Sequence, residues 1–149
     1  MNSKVYESPL GRLILTSDDG HTLCGLAIAP DAKNQGRYVP VFDHAIRWLD
    51  RYFAGKNPGE VPALTPRGTD FQLRVWNELC KVGYGQTVTY GELARRIGCR
   101  SAQAVGNAVG RNPVLIMIPC HRVVAVSGMG GFSAGLHNKV TLLRTESVL

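Results

Sequence analysis

The sequence predicts an α+β chain, α/β in the broad sense, built in two parts: a small N-terminal β-sheet with one helix, then a mainly helical half. Three observations carry that reading. The first 30 residues hold short apolar runs separated by turn signals. Residues 41–54 switch to helical spacing. The second half then repeats a capping residue, a short apolar-faced run and a helix-stopping residue.

Val5-Tyr6-Glu7 is short and extended, and Leu13-Ile14-Leu15-Thr16 follows a Pro9–Gly11 turn. Asp18-Asp19-Gly20 is a hairpin signal between that run and Leu23–Ile28. Phe42, Ile46, Leu49 and Phe53 recur at three and four, with Asp43, Arg47, Asp50 and Arg51 opposite, and Gly55 ends the helix. Residues 55–69 hold three glycines and three prolines and no periodicity. They predict a linker, with domains over 1–65 and 66–149.

In the second half Asp70 predicts a cap for a helix from Phe71 to about Lys81. Gly83-Tyr84-Gly85 breaks it. Thr89 and Glu92 fit a capping box for a helix starting at Tyr90, with Leu93, Ala94 and Ile97 apolar and Gly98 at its end. Ser101 caps the next helix, Ala102 to Gly110, which Asn112-Pro113 stops. Two short helices joined by a tight turn read as a helix-turn-helix. The second contains Gly106 and Gly110. Glycine inside a helix costs about 0.5–1 kcal/mol relative to alanine, so something must approach that backbone closely. A DNA backbone or groove fits, and so does tight helix packing. Val114–Ile118 is wholly apolar and predicts a buried strand.

At 149 residues, 44% hydrophobic and 19% charged, the chain can bury an ordinary core, which excludes disordered and fibrous classes. No run approaches the roughly 18 apolar residues of a membrane span. The opening MNSKVYESPL has no apolar core of a signal peptide, so a cytoplasmic location is expected. The net charge of +6 is unevenly placed. Residues 1–70 carry eight basic and eight acidic side chains, whereas residues 71–149 carry nine basic and three acidic. A basic half suggests a polyanionic partner, most simply nucleic acid. A solvated basic surface would account for the charge equally well.

Cysteines stand at 24, 80, 99 and 120, none in a C-x-x-C pair. Cys24, Cys80 and Cys99 read as buried structural thiols. Cys120 differs, because Pro119-Cys120-His121-Arg122 gathers a thiol, an imidazole and a guanidinium at the end of an apolar run. The thiolate is the reactive form, and a nearby base or cation favours it. Adjacent residues point in different directions, so a water can relay the proton to His121. A third group then orients the imidazole. Glu146, the only acidic residue after Glu92, is the candidate.

The run Ile118-Pro119-Cys120-His121-Arg122-Val123-Val124 resembles the signature of the O6-alkylguanine-DNA alkyltransferases, also called methylated-DNA–protein-cysteine methyltransferases. The likeness extends across residues 68–149. Phe71…Val75-Trp76 is similar to the family's opening of the C-terminal domain. Thr89-Tyr90-Gly91-Glu92-Leu93-Ala94 resembles its first helix-turn-helix helix. Ala104-Val105-Gly106 and Asn112-Pro113 resemble its recognition helix and hinge. Gly131-Phe132-Ser133 and Leu142-Leu143…Glu146 resemble its closing segment, and Ser8-Pro9-Leu10-Gly11 is similar to its N-terminal opening.

The resemblance implies a β-sheet-and-helix domain followed by a helical domain with a winged helix-turn-helix-like DNA-binding motif. It implies DNA repair, in which an O6-alkylguanine flips out of the duplex and its alkyl group passes irreversibly to the cysteine. O4-methylthymine is a second implied substrate. Each molecule acts once, without cofactor or metal, as a monomer on double-stranded DNA and away from membranes. Carried over residue by residue, Cys120 is the acceptor, His121 takes its proton through water, and Glu146 orients His121. Asn112 fixes the cysteine loop, and Tyr90 donates to the leaving guanine at N3. Val123 and Ser133 contact the base, and Ala104 and Gly106 lie on the recognition helix. Arg122 is read as structural. Gln103 stands where many members carry the arginine that fills the vacated stack, and the turn before it is about one residue shorter. His21, Cys24 and His44 lack the zinc spacing found in some members. Other readings of the same features are a DNA-binding sensor with a reactive cysteine, a lesion-binding relative that does not repair, and a cysteine hydrolase. The acceptor Cys120 argues against the second, and the basic helix-turn-helix against the third.

Overall fold

The computed structural model describes all 149 residues. The chain forms two compact units, Met1–Arg67 and Gly68–Leu149. No helix is long and apolar enough to cross a membrane.

In the first unit β1 (Asn2–Ser8), β2 (Gly11–Ser17) and β3 (Gly25–Ile28) form an antiparallel meander in the order β1-β2-β3. The register stacks Lys4, Leu15 and Leu26 on one face and Val5, Ile14 and Ala27 on the other. Helix α1 (Pro40–Phe53) carries proline in its first turn, where no N–H is missed. Its buried stripe is Phe42, Ala45, Trp48, Leu49 and Tyr52. That stripe is rotated from the expected one, leaving Ile46 and Phe53 only half-buried, because the two largest aromatic rings take the inner face. With Leu13, Leu15, Leu23 and Leu26 these side chains make the core.

Two expectations shift here. The third strand starts at Gly25 rather than Leu23, because Leu23 pairs elsewhere: it donates to the Ala63 carbonyl at 2.9 Å and accepts from the Thr65 amide at 2.8 Å. The proline-rich linker is therefore partly fixed in place through Ala63–Thr65.

In the second unit α2 (Asp70–Leu79) is capped by Thr69 and not by Asp70. Thr69 and Gln72 form the reciprocal capping box, and Asp70 becomes the first helical residue, its carboxylate suiting the positive helix end. A two-residue strand β4 (Val88–Thr89) leads into α3 (Tyr90–Arg96). Thr89 accepts from the Glu92 amide as expected. Glu92, however, pairs with Arg96 at 3.1 Å instead of completing the box. After a short turn comes α4 (Ala102–Gly110), capped by Ser101. The Trp76 indole donates to the Ala108 carbonyl at 2.8 Å, which ties α2 to α4.

The expected strand at Val114–Ile118 is absent. These five residues are buried in consecutive turns, closed by bonds from Met117 N to Leu115 O at 2.8 Å and Ile118 N to Val114 O at 3.0 Å. Ile116 sits at φ 72°, which a β-branched residue rarely adopts. The chain then enters one 3-10 turn at Cys120–Arg122, the short strand β5 (Val123–Val124), which pairs parallel with β4, and finally α5 (Leu136–Thr145).

Candidate active site

The side chain of Asn112 does the work that a strand ladder would have done for residues 114–118. Its Oδ1 accepts from the Val114 amide at 2.9 Å, and its Nδ2 donates to the Ile118 carbonyl at 2.7 Å and to Cys120 Sγ at 3.0 Å. One amide therefore folds the apolar turns and aims a donor at the thiol. The β4–β5 pairing sets the other end. Val88 faces Val123 and Thr89 faces Val124, so the segment after Cys120 is registered against the residue that precedes Tyr90.

Helix α5 brings the acid. Glu146 follows its last turn and is 3% exposed. Its Oε2 lies 2.5 Å from His121 Nε2, while Oε1 accepts from Arg122 Nε and from the Gly85 amide, each at 2.9 Å. Arg122 also donates to the Val82 carbonyl at 2.7 Å. A carboxylate only accepts, so His121 carries its hydrogen on Nε2 and presents its lone pair at Nδ1.

Burial pushes the Cys120 thiol up to about 11, against the opposing hydrogen bond from Asn112. Burial also holds His121 below its ordinary value, against the Glu146 carboxylate. The cysteine therefore rests as a thiol, and His121 as a neutral base. Burial raises the Tyr90 hydroxyl as well, so it stays a proton donor at neutral pH.

Cys120 and Tyr90 open onto one cavity of about 260 Å³. Gly106, Val109 and Gly110 of α4 form one wall, and Gly131, Phe132 and Ser133 form another. Tyr90 donates to the Gly131 carbonyl at 3.4 Å. Gly130 is required beside it, because it has φ 72° and a Cβ there would sit 2.9 Å from the Tyr90 ring. The helix glycines are a different case. A methyl on Gly106 would meet nothing nearer than 3.7 Å, and one on Gly110 nothing within 4 Å. Tight helix packing therefore does not explain them, and both line the cavity.

Residues 70–148 match the family model described as "6-O-methylguanine DNA methyltransferase, DNA binding domain", and residues 1–60 match its "ribonuclease-like domain". The chain belongs to the 6-O-methylguanine DNA methyltransferase family. A methylated-DNA–protein-cysteine methyltransferase of Methanosarcina acetivorans is 39% identical, over 95% of this chain and 96% of its own. Another, from Mycobacterium leprae, is 41% identical over 98% and 92%. A crystal structure of Mycobacterium tuberculosis OGT in complex with DNA superposes with a TM-score of 0.84 at 39% identity, covering 97% of this chain and 91% of that one.

Within the family fold, the residues singled out from the sequence fall into three groups. Cys120, His121, Glu146 and Asn112 form one buried cluster. Tyr90, Gly106 and Ser133 face the cavity with Cys120. Gln103, Ala104 and Val123 do not line it. Gln103 is exposed in the first turn of α4. Ala104 borders a separate hollow of about 320 Å³ with Phe71 and Arg111. The Val123 side chain is fully buried behind the wall.

The cysteines invert the expectation. Cys80 is exposed, and Cys24 and Cys99 are half-buried, whereas Cys120 is buried at 2% exposure. Sequence reasoning missed Val109, Phe132 and, above all, Lys139. Lys139 stands three and four residues before Leu142 and Leu143, so a lysine within an apolar helix face was the available signal.

Proposed function

We propose that this chain repairs O6-alkylguanine in double-stranded DNA by moving the alkyl group onto Cys120, once per molecule. The observation that carries the reading is the shared cavity, with a nucleophile held by Asn112 on one side and the Tyr90 hydroxyl on the other. Its volume, about 260 Å³, is of the order of one extruded base, just below the roughly 300–1,000 Å³ of drug-sized ligand sites. Flipping the base is what brings its O6 substituent to a buried sulfur.

The chemistry balances without a cofactor. As the base seats, the Cys120 proton moves through a water to His121 Nδ1, and Glu146 stabilises the imidazolium that forms. The thiolate attacks the alkyl carbon, the carbon–O6 bond breaks, and S-alkylcysteine remains. Tyr90 gives its proton to the guanine at N3, so a neutral purine leaves rather than an anion, and the tyrosinate regains a proton through water as the His121 imidazolium releases the one it took from Cys120. Nothing in the cluster removes an alkyl group from sulfur, which makes the reaction stoichiometric. O4-methylthymine presents the same carbon–oxygen bond and is a second substrate.

Duplex binding is assigned to the helix-turn-helix of α3 and α4, with Gln103 filling the stack and Ala104 and Gly106 lying on the recognition helix. Ser133 contacts the flipped base at the cavity, with the Val123 segment behind it. The protein acts as a monomer in the cytoplasm. Intact-mass measurement after incubation with O6-methylguanine duplex tests the reading. A permanent gain of one methylene per molecule is expected, mapped to Cys120 and lost in Cys120→Ala while duplex binding survives. Methylation at another cysteine in that variant, or no gain in the parent, refutes it.

A further inference from the structure

Lys139 is a buried charge that the chemistry above leaves unused. It lies on the inner face of α5 at 0% exposure. A buried ammonium is costly unless its hydrogens find acceptors. All three do, donating to the carbonyls of Val123 at 2.6 Å, Met129 at 2.5 Å and Gly131 at 2.9 Å. These carbonyls come from two places. Val123 closes the cysteine segment. Met129 and Gly131 belong to the stretch whose Gly131, Phe132 and Ser133 line the cavity. Residues 129–132 form no helix or strand, and glycines at 128, 130 and 131 leave that backbone few preferences of its own. The Gly131 carbonyl also receives the Tyr90 hydroxyl at 3.4 Å. An ammonium, a carbonyl and the expected acid thus share one chain of contacts.

We propose that Lys139 is a positioning residue for the transfer. Its three hydrogen bonds fix the glycine-rich cavity wall against the cysteine segment and hold the Gly131 carbonyl where Tyr90 meets it. The inference rests on the alkyl-transfer reading above. A flexible loop of this composition would otherwise have to be ordered by the substrate, which weakens binding. Lysine suits the task because its three hydrogens diverge from one atom, whereas the planar arginine fork does not match three converging carbonyls.

The test compares wild type, Lys139→Met and Lys139→Arg with two reagents. Free O6-benzylguanine needs the cavity wall, and iodoacetamide needs only the Cys120 thiol. Single-turnover kinetics yield the half-saturating concentration and the limiting rate separately. Lys139→Met is expected to raise the half-saturating O6-benzylguanine concentration about tenfold or more, since hydrogen bonds to charged groups are the strong ones. Iodoacetamide labelling of Cys120 should slow several times less. Lys139→Arg should fall between the parent and Lys139→Met. It carries the same comparison should the methionine variant lose its near-UV circular dichroism. Equal losses on both reagents, or no loss on either, overturn the positioning role. A wild type that iodoacetamide labels but that takes no methyl group from O6-methylguanine duplex overturns the alkyl-transfer reading and the proposal with it.

Discussion

Glu146→Gln is the most discriminating single change at this site, because the structure dictates how the amide must sit. Oε1 of Glu146 faces two donors, Arg122 Nε and the Gly85 amide, each at 2.9 Å. An NH₂ group placed there would set donor against donor. The glutamine oxygen therefore takes that place, and its NH₂ turns to His121 Nε2, where Oε2 now lies at 2.5 Å. A donor at that point forces His121 to accept on Nε2 and to carry its hydrogen on Nδ1. The imidazole is then in the tautomer that cannot take the thiol proton. An analogous acid-to-amide change in a serine-protease triad costs about 10⁴-fold in rate through the wrong tautomer, so a loss of roughly 10³–10⁴-fold is expected here.

A second effect accompanies it. Arg122 is 7% exposed and would lose the charge of its carboxylate partner. Removing one member of a buried pair costs about 3–5 kcal/mol, and the retained amide oxygen keeps the expected loss near the lower end. The assay is single-turnover transfer from O6-methylguanine duplex, with urea unfolding for stability and ¹⁵N chemical shifts for the His121 tautomer. Transfer within about tenfold of wild type in a variant whose tautomer has switched would refute His121 as the base.

Three further outcomes follow from the same geometry. Gln103→Ala should slow transfer from duplex by roughly 1–3 kcal/mol, the order of unstacking a base, and leave transfer from free O6-alkylguanine unchanged. Gln103→Arg should match or exceed the parent on duplex. Equal slowing of Gln103→Ala on both substrates would place Gln103 in the chemistry or the fold. Arg74, Arg95, Arg100, Arg111 and Arg144 are exposed and stand outside the ion pairs of the second unit, so duplex affinity should fall steeply with salt, with a log–log slope steeper than about −2. A slope near zero removes the electrostatic argument for DNA. Finally, the thiol of Cys120 is raised by burial from 9.0 to about 11. Between those values the folded chain holds a proton that the unfolded chain has lost. That contribution to stability is full below pH 9 and drains away as pH rises to 11, roughly 2–3 kcal/mol in all. The stability gap between wild type and Cys120→Ala should change by that order between pH 8 and 11, and a constant gap would show the thiol is not buried as described.

Local sequence made most of the site legible, and long-range backbone placement hid the rest. Cys120 and His121 are neighbours in a distinctive run, and Glu146 stood out as the last acid in a basic half. The turns at Val114–Ile118 were not legible, because a continuous apolar run has no period that separates a buried strand from buried turns. What decides between them is a side chain, Asn112, acting as the ladder partner, and a β-branched residue at φ 72° that its own preferences oppose. Lys139 was hidden for a related reason. Its burial is tolerable only where three carbonyls from other segments converge, and no local pattern announces that convergence. The cysteines show the same limit from the other side. Residue type suggested burial for all of them, yet only Cys120 is buried, because its segment is wrapped by Asn112, α4 and α5.

Burying the thiol proposed to react has a consequence for a protein that acts once. An exposed, low-pKa cysteine would be spent on any passing electrophile or oxidant. Cys120 is protected twice, by 2% exposure and by a thiol held near 11. Its reactivity must then be supplied at the moment of use. In the proposed reaction His121 provides the base, Glu146 fixes the tautomer, and Asn112 offers a donor that strengthens as charge forms on sulfur. These groups are preorganised, so little rearrangement remains once the base is in place. The missing element is an electrophilic carbon in the cavity, beside the Tyr90 hydroxyl. Selectivity for the lesion then resides in access and in leaving-group protonation more than in the nucleophilicity of the sulfur. This order of control predicts that iodoacetamide, which needs neither the Tyr90 proton nor the cavity wall, distinguishes wild type from Tyr90→Phe far less than O6-benzylguanine does. Comparable slowing with both reagents would move the control back onto the thiol itself.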